Sequence, residues 1–412
     1  MKSHFLKVIS VITALAITYN LFAAKITLYV IGDSTAATYA ANLSPRTGWA
    51  QVLQPFFNVD SVVVNNQAAS GRSSKSFYTE GRWATVTNTL KAGDYVMIQF
   101  AHNDEKTDDT ARYTIPATTF KDYLSIYVNG ARAKGAIPVF LSSIPRNNWS
   151  GTGIQQAHKP YTDAMKELAT SLSVPFIDME AVTMTYLNSK GKTYSTDSVF
   201  NNLKAGIWVN YSTGNSDGTH LQENGAFQFA KVLIADMNVN AQYAEIIRLA
   251  KNTKQAYRIS AMPKPDLKGT ITGAGVFQTG GQTTLKATAA TGFKFVKWTL
   301  ATDTATISRN ASLAVSAINK DIAYIANFES TTAVENINAE EVSIFPNPVK
   351  SILNIQIDRP NWQIIILDVA GRTILYSSNQ KSVDVSMLKE GMYLVNIQTD
   401  DLQTTKKIQV IR

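Results

Sequence analysis

Four histidines occur in 412 residues, at positions 4, 102, 158 and 220, and cysteine is absent. Imidazole chemistry therefore has few candidates, and thiol nucleophiles, disulfides and thiolate metal sites are excluded. His220 lies in SDGTHLQENGA, with Asp217 three residues before it. On a turn or a first helical turn that spacing lets the carboxylate reach the imidazole. Ser34 ends an apolar run, YVIGDSTAATY, in a tight Gly-Asp-Ser. A serine hydroxyl is inert at its own pKa and needs an adjacent base. The base needs a partner that orients it and stabilises the imidazolium. Ser34, His220 and Asp217 supply one of each, and the chemistry of such a set is acyl transfer.

A tetrahedral acyl-transfer intermediate also needs donors aimed at its oxyanion. Gly71 in NNQAASGRSS and Asn103 in QFAHND follow apolar runs, as Ser34 does. The Ser34 and Gly71 backbone N–H groups and the Asn103 amide are the candidates. Each piece alone has a plainer reading. Gly-Asp-Ser is usually only a turn, His102 suits a satisfied structural histidine, and Asp217 could cap a helix. The ordered set carries the argument.

The elements that must position these residues are strands and helices in alternation over 25–258. KITLYVI (25–31), SVVVN (61–65), DYVMIQF (94–100), IPVFLSS (137–143) and VPFID (174–178) read as strands buried on both faces. TTFKDYLSIYVNGARAKG and YTDAMKELATSLS read as helices; in the first, Phe120, Leu124 and Val128 share a face. A long helical pattern runs from Glu223 to Leu249. This alternation predicts an α/β fold with a parallel sheet covered on both sides. Functional groups then gather at the carboxyl ends of the strands, where Ser34, Gly71 and Asn103 fall.

SAMPKPDLKG (260–269) reads as a linker, 269–328 as a small all-β module, 329–341 as a polar break, and 342–412 as a second β module of about seven strands. DVAGR (368–372) reads as its hairpin turn. The N-terminal 24 residues carry Lys2 and Lys7, an apolar run over 8–17 and small residues at 23 and 24, the pattern of a signal peptide. That run is short for a membrane span and no later segment is long and apolar enough, so a secreted or cell-surface protein is expected. The formal charge is +8, or +6 without Lys2 and Lys7. It is spread along the chain, with no basic run of the kind that binds nucleic acid.

The four blocks, GDST with Ser34, SGRS with Gly71, HND with Asn103 and DGTH with Asp217 and His220, resemble those of the SGNH (GDSL-type) hydrolases. TGWAQVL, GRSSKSF, EGRW, GDYVMIQFAHND and DGTHLQENGA resemble the rhamnogalacturonan acetylesterase branch, carbohydrate esterase family 12. The resemblance implies a flavodoxin-like three-layer α/β/α fold and removal of acetyl groups from pectin backbones without metal or other cofactor. It implies Ser34 as nucleophile, His220 as base, Asp217 as its orienter, and Ser34, Gly71 and Asn103 as oxyanion hole. Ala101 stands where that family usually has glycine before HND, so a small effect on specificity is expected. VSIFPNPVKSILNIQI and VDVSMLKEGMYLVNIQT, within 342–412, resemble the C-terminal sorting domain of type IX secretion, which implies the secretion machinery as a partner. Residues 269–328, with GFKFVKWT and IAYIANFE, resemble internalin-type bacterial repeats, read here as a spacer.

An acetylated polysaccharide is the expected substrate, on pectin or on another plant polymer. Arg72, Arg82 and Arg146 could meet its carboxylates, and surface ion pairs are their plainer fate. Trp149 could stack on a sugar; Trp49 and Trp83 are expected in the core. The rival reading is a carbohydrate-binding or surface protein with an inert hydrolase domain. A base must be neutral to work, so activity is expected to fall in acid, and chelators should have no effect.

Overall fold

The computed structural model describes residues 25–239, 242–331, 342–399 and 403–412. The expected signal peptide lies outside them. The chain forms two compact units, one reaching to Ala290 and including Phe295–Phe328, the other made of Thr291–Lys294 and Glu329–Arg412.

In the first unit five strands form a parallel sheet: β1 (Ile26–Gly32), β2 (Val62–Asn66), β3 (Tyr95–Gln99), β4 (Ile137–Leu141) and β5 (Phe176–Ile177). Their spatial order is β2-β1-β3-β4-β5, the doubly wound flavodoxin-like order. Side chains alternate strictly between two cores. Leu28, Val30, Tyr95, Met97, Val139 and Leu141 face one side, where they meet helices Met179–Lys190 (α5), Glu223–Val239 (α6) and Ala244–Ala250 (α7). Tyr29, Ile31, Val96, Ile98 and Phe140 face the other, against helices Ser74–Thr79 (α1), Arg82–Thr87 (α2), Lys121–Ala133 (α3) and Lys159–Leu172 (α4). Phe120, Leu124 and Val128 are all fully buried there. Each such side chain contributes about 1.5–3 kcal/mol by leaving water, and the three layers follow.

The long pattern from Glu223 to Leu249 is two helices rather than one. α6 ends at Val239 and α7 starts after Tyr243, whose backbone is extended. Asn238 Nδ2 turns back to the Ile234 carbonyl at 2.8 Å, the local competition that makes asparagine a weak helix former.

The linker reading of 260–269 is corrected. Residues up to Lys264 belong to a strand, Ala256–Lys264, inside a five-stranded sheet. Strand Gly275–Gln278 pairs only with 256–259 on one side, so Pro263 removes no ladder donor there. A three-stranded sheet completes this β module. It does not hang free as a spacer would. Ala256 is buried in the sheet domain's core, and Gln278 Nε2 donates to the Phe57 carbonyl at 3.1 Å.

In the second unit seven strands form an antiparallel three-stranded sheet and an antiparallel four-stranded one. They share one apolar core, with Leu353 and Ile355 from the first sheet and Ile364, Val395 and Ile408 from the second. Asp368 and Arg372 close the hairpin turn, the Asp368 N–H donating to the Arg372 carbonyl at 3.0 Å.

Candidate active site

The site lies at the carboxyl ends of β1, β2 and β3, where the strand order reverses on either side of β1. Gly32 closes β1 there. A Cβ on it would come 2.7 Å from the Gln99 carbonyl oxygen of β3, so only glycine fits. The turn that follows is fixed from beneath. Asp33, fully buried, accepts from the Thr35 N–H and hydroxyl, both at 2.8 Å. Burial raises its carboxyl above its ordinary value, with the two Thr35 hydrogen bonds opposing that rise. Ser34 is thereby held at the edge of a pocket of about 240 Å³, lined also by Gly71, His102, Asn103, Asp217 and His220.

His220 Nε2 lies 2.9 Å from Ser34 Oγ, across 186 residues of chain. Its Nδ1 lies 2.7 Å from Asp217 Oδ2. The turn before α6 makes this pair rigid. Asp217 Oδ1 accepts from the N–H groups of Thr219 and His220, at 2.9 and 3.0 Å, and Asn202 Oδ1 accepts from the Asp217 N–H at 3.0 Å. Burial opposes ionisation of Asp217, but the bonds from the His220 ring and backbone outweigh it and hold its carboxyl well below the ordinary carboxylate range. Asp217 is thus a fixed negative charge at the Nδ1 edge of the imidazole.

Gly71 adopts φ +80°, a left-handed backbone that glycine takes without strain. The Asn103 side-chain NH₂ donates to the Arg72 carbonyl at 3.1 Å, which leaves its second proton for the pocket. Asp104 clamps these two loops together. It accepts from the Ser74 N–H, at 3.1 Å to each oxygen, from the Ser74 hydroxyl, and from the Thr114 hydroxyl at 3.0 Å. Burial nonetheless pushes its carboxyl up to about 7.

Sequence reasoning passed over Asp104 although it completes the HND block. It named Arg146, with an ion pair as its plainer fate, but missed the network that Arg146 anchors. Arg146 binds the Thr219 hydroxyl at 2.6 Å and pairs with Glu105, whose other oxygen meets His158 Nδ1 at 2.8 Å. Burial works against ionisation of Glu105, but His158 and Arg146 hold it below its ordinary value. Nothing in the spacing of 105, 146 and 158 signals that the fold joins them. His102 packs edge-on against His158 at 4.1 Å between ring centroids. Burial, then His158 and Arg146, keep its imidazole well below its ordinary value. It therefore stays neutral, as a packing histidine does.

Arg72 and Arg82 do not reach the pocket. Both pair with Glu80 on exposed surface, at 2.9 and 2.8 Å. Trp49 and Trp83 are buried in the two cores, and Trp149 is half-buried with its indole N–H on Asn147 Oδ1 at 2.8 Å. Ala101 has a negative φ and packs in the core below the site rather than in the pocket.

Residues 30–226 match the GDSL-like lipase/acylhydrolase family. The chain is 37% identical over 209 residues, half of its own length and 88% of the relative's, to rhamnogalacturonan acetylesterase RhgT of Bacillus subtilis. It is 32% identical over 206 residues, half of its length and 89% of the relative's, to the probable rhamnogalacturonan acetylesterase YesY of the same organism. The chain belongs to the GDSL-like lipase/acylhydrolase family. As a member of that family it is a carboxylic ester hydrolase. The crystal structure of Bacillus subtilis YxiM is similar at 22% identity and a TM-score of 0.43, over 52% of this chain and 57% of that one.

Around this GDSL-like hydrolase the other regions also have relatives. Residues 343–411 match the secretion system C-terminal sorting domain, so the hydrolase carries the mark of secretion or display at the cell surface by the type IX system. Residues 261–332 match the divergent InlB B-repeat domain. No helix among the described residues is long and apolar enough to cross a membrane.

Proposed function

We propose that this hydrolase removes acetyl groups from acetylated pectin, most directly rhamnogalacturonan, by a serine acyl-enzyme mechanism. One observation carries the mechanism: Ser34 Oγ, His220 and Asp217 stand in a single hydrogen-bonded line, 2.9 and 2.7 Å between successive atoms. His220 Nε2 takes the Ser34 proton as Oγ attacks the acetyl carbonyl. Asp217 keeps the proton of Nδ1 on the far side of the ring and stabilises the imidazolium. The Ser34 and Gly71 N–H groups and the Asn103 amide hold the developing oxyanion. His220 then protonates the departing sugar oxygen, leaving acetyl-Ser34. Water, deprotonated by the same His220, releases acetate.

The polysaccharide is drawn from the relatives, two of which are named for rhamnogalacturonan. A pocket of about 240 Å³ accommodates an acetyl group and leaves the polymer outside. The test is acetate release from a panel of acetylated polysaccharides by the wild type and by Ser34→Ala. Release confined to rhamnogalacturonan supports the full reading, and release from xylan alone would move the substrate to another plant polymer. Equal background rates from both proteins would leave only a binding role.

A further inference from the structure

This inference rests on the proposed function and concerns what the alcohol side of the ester carries. The pocket at Ser34 is lined by three cations, Arg46, Lys106 and Arg146, and by one carboxylate, Asp217, which is engaged with His220. Arg146 is balanced by Glu105. Among the described residues Arg46 and Lys106 take part in no ion pair. Two cationic residues without an ion-pair partner thus line the pocket that holds Ser34.

Arg46 is built into the site rather than draped over it. Its guanidinium stacks 4.5 Å from the Tyr39 ring centroid, and the Tyr39 hydroxyl donates to the Ser34 carbonyl at 2.7 Å. Its backbone bridges Gln222, two residues beyond His220. The residue is half-buried, and its Nε is buried without a hydrogen-bond partner. The planar guanidinium fork fits a carboxylate. Lys106 comes from the loop after β3 and brings a point charge to the same pocket.

We propose that Arg46 and Lys106 form the anion subsite that holds a carboxylate on the acetylated sugar or its neighbour. The subsite acts on binding and register, and the acyl chemistry remains with Ser34. A rival use of the same charges is direct stabilisation of the oxyanion. That use would help every acetate ester equally, whereas a carboxylate subsite helps only uronates.

The experiment measures kcat/KM for three substrates: an acetylated polyuronate, the same polymer with its carboxyls methyl-esterified, and a small neutral aryl acetate. The proteins are full-length wild type, Arg46→Gln, Arg46→Lys, Lys106→Gln and the double Gln variant. In the wild type, methyl esterification should lower kcat/KM roughly tenfold, mainly through KM, the size of one charge-assisted contact. Salt at about 0.5 M should erode the preference for the charged polymer. Each Gln variant should reduce the ratio of polyuronate to aryl acetate kcat/KM severalfold, with Arg46→Lys retaining part of it. In the double variant methyl esterification should no longer matter.

A wild type indifferent to methyl esterification would overturn the subsite while leaving the acetylesterase reading intact. Equal losses on polymer and aryl acetate would assign the charges to the oxyanion and also overturn it. Hydrolysis of the aryl acetate with no acetate from either polymer would overturn both. The wild-type comparison needs no variant to fold, and Lys106, on a half-exposed loop, gives a second readout independent of Arg46.

Discussion

The rim of the parallel sheet and the β unit of residues 342–412 solve opposite problems. Around Ser34 the chain buries Asp33, Ser73, Ser74, His102, Asn103, Asp104 and His158, each at 4% exposure or less. In 342–412 no polar side chain is buried to that degree among the described residues, and strands such as Trp362–Leu367 simply alternate inward and outward. Buried polar groups are tolerated only when their partners are supplied. The rim therefore depends on specific pairs drawn from distant parts of the chain, whereas the β unit depends on apolar volume and period. A single exchange at the rim should remove function with little loss of fold. A single exchange in the β unit should do the reverse.

The largest effect that could break this contrast is Ser34→Ala. Acetate release should fall by at least about 10³-fold, with the melting temperature within a degree or two of wild type. Retained activity would remove the nucleophile and the contrast together. Next is Asp217→Asn. It keeps the shape but not the charge and tautomer control, and should lower kcat by about 10³–10⁴-fold. The carboxyl of Asp217 is depressed, so its stabilising bond is present above the ordinary carboxylate value and is lost only as pH falls through the lower folded value. Wild-type activity lost in weak acid would thus not come from protonation of Asp217. A pH–rate profile checks this. Asn103→Ala follows, with about a 10²-fold fall in kcat measured on an aryl acetate.

Asp104 sharpens the comparison through stability. Its folded value is up at about 7 against an ordinary 3.8. Between those limits the unfolded chain gives up a proton that the folded chain keeps. Folding stability should then decline as pH rises through that window, by up to roughly 1.4 kcal/mol per pH unit. In Asp104→Asn the slope should flatten although the variant is weaker at pH 5, having lost an acceptor for Ser74. Chemical denaturation across the window measures it, and an unchanged slope would remove the Asp104 clamp from the account.

These results bear on what a sequence can disclose. The strands of the sheet were legible because each is a short run of β-branched and aromatic residues. Ser34, Gly71, Asn103, Asp217 and His220 could be named because each sits in a compact local block at an element boundary. Arg46 was not singled out, and the network that joins Glu105 to Arg146 and His158 could not be read, since only tertiary proximity brings those residues together. Arg72 and Arg82 lay close to a motif in sequence, yet Glu80 held both at the surface. The 260–264 stretch was misread because Pro263 resembles a break, and its unpaired strand edge became visible only with the sheet. Residues 223–249 look helical throughout by apolar spacing, and that spacing gave no warning of the break after Val239.

The smallest expected effect on activity comes from the β unit's own core. Ile364 is fully buried between its two sheets. Ile364→Ala removes apolar volume that no neighbouring polar group can replace, and should weaken that unit by about 2–5 kcal/mol. The polar partners of Ser34, His220 and Asp217 described above all come from within residues 33–222. Acetate release should therefore remain within about twofold of wild type while thermal unfolding of the second unit shifts down. A tenfold loss of kcat/KM at a temperature where the first unit is intact would mean that the rim draws on 342–412 after all. The division between a polar, pair-dependent site and an apolar, period-dependent module would then have to be redrawn.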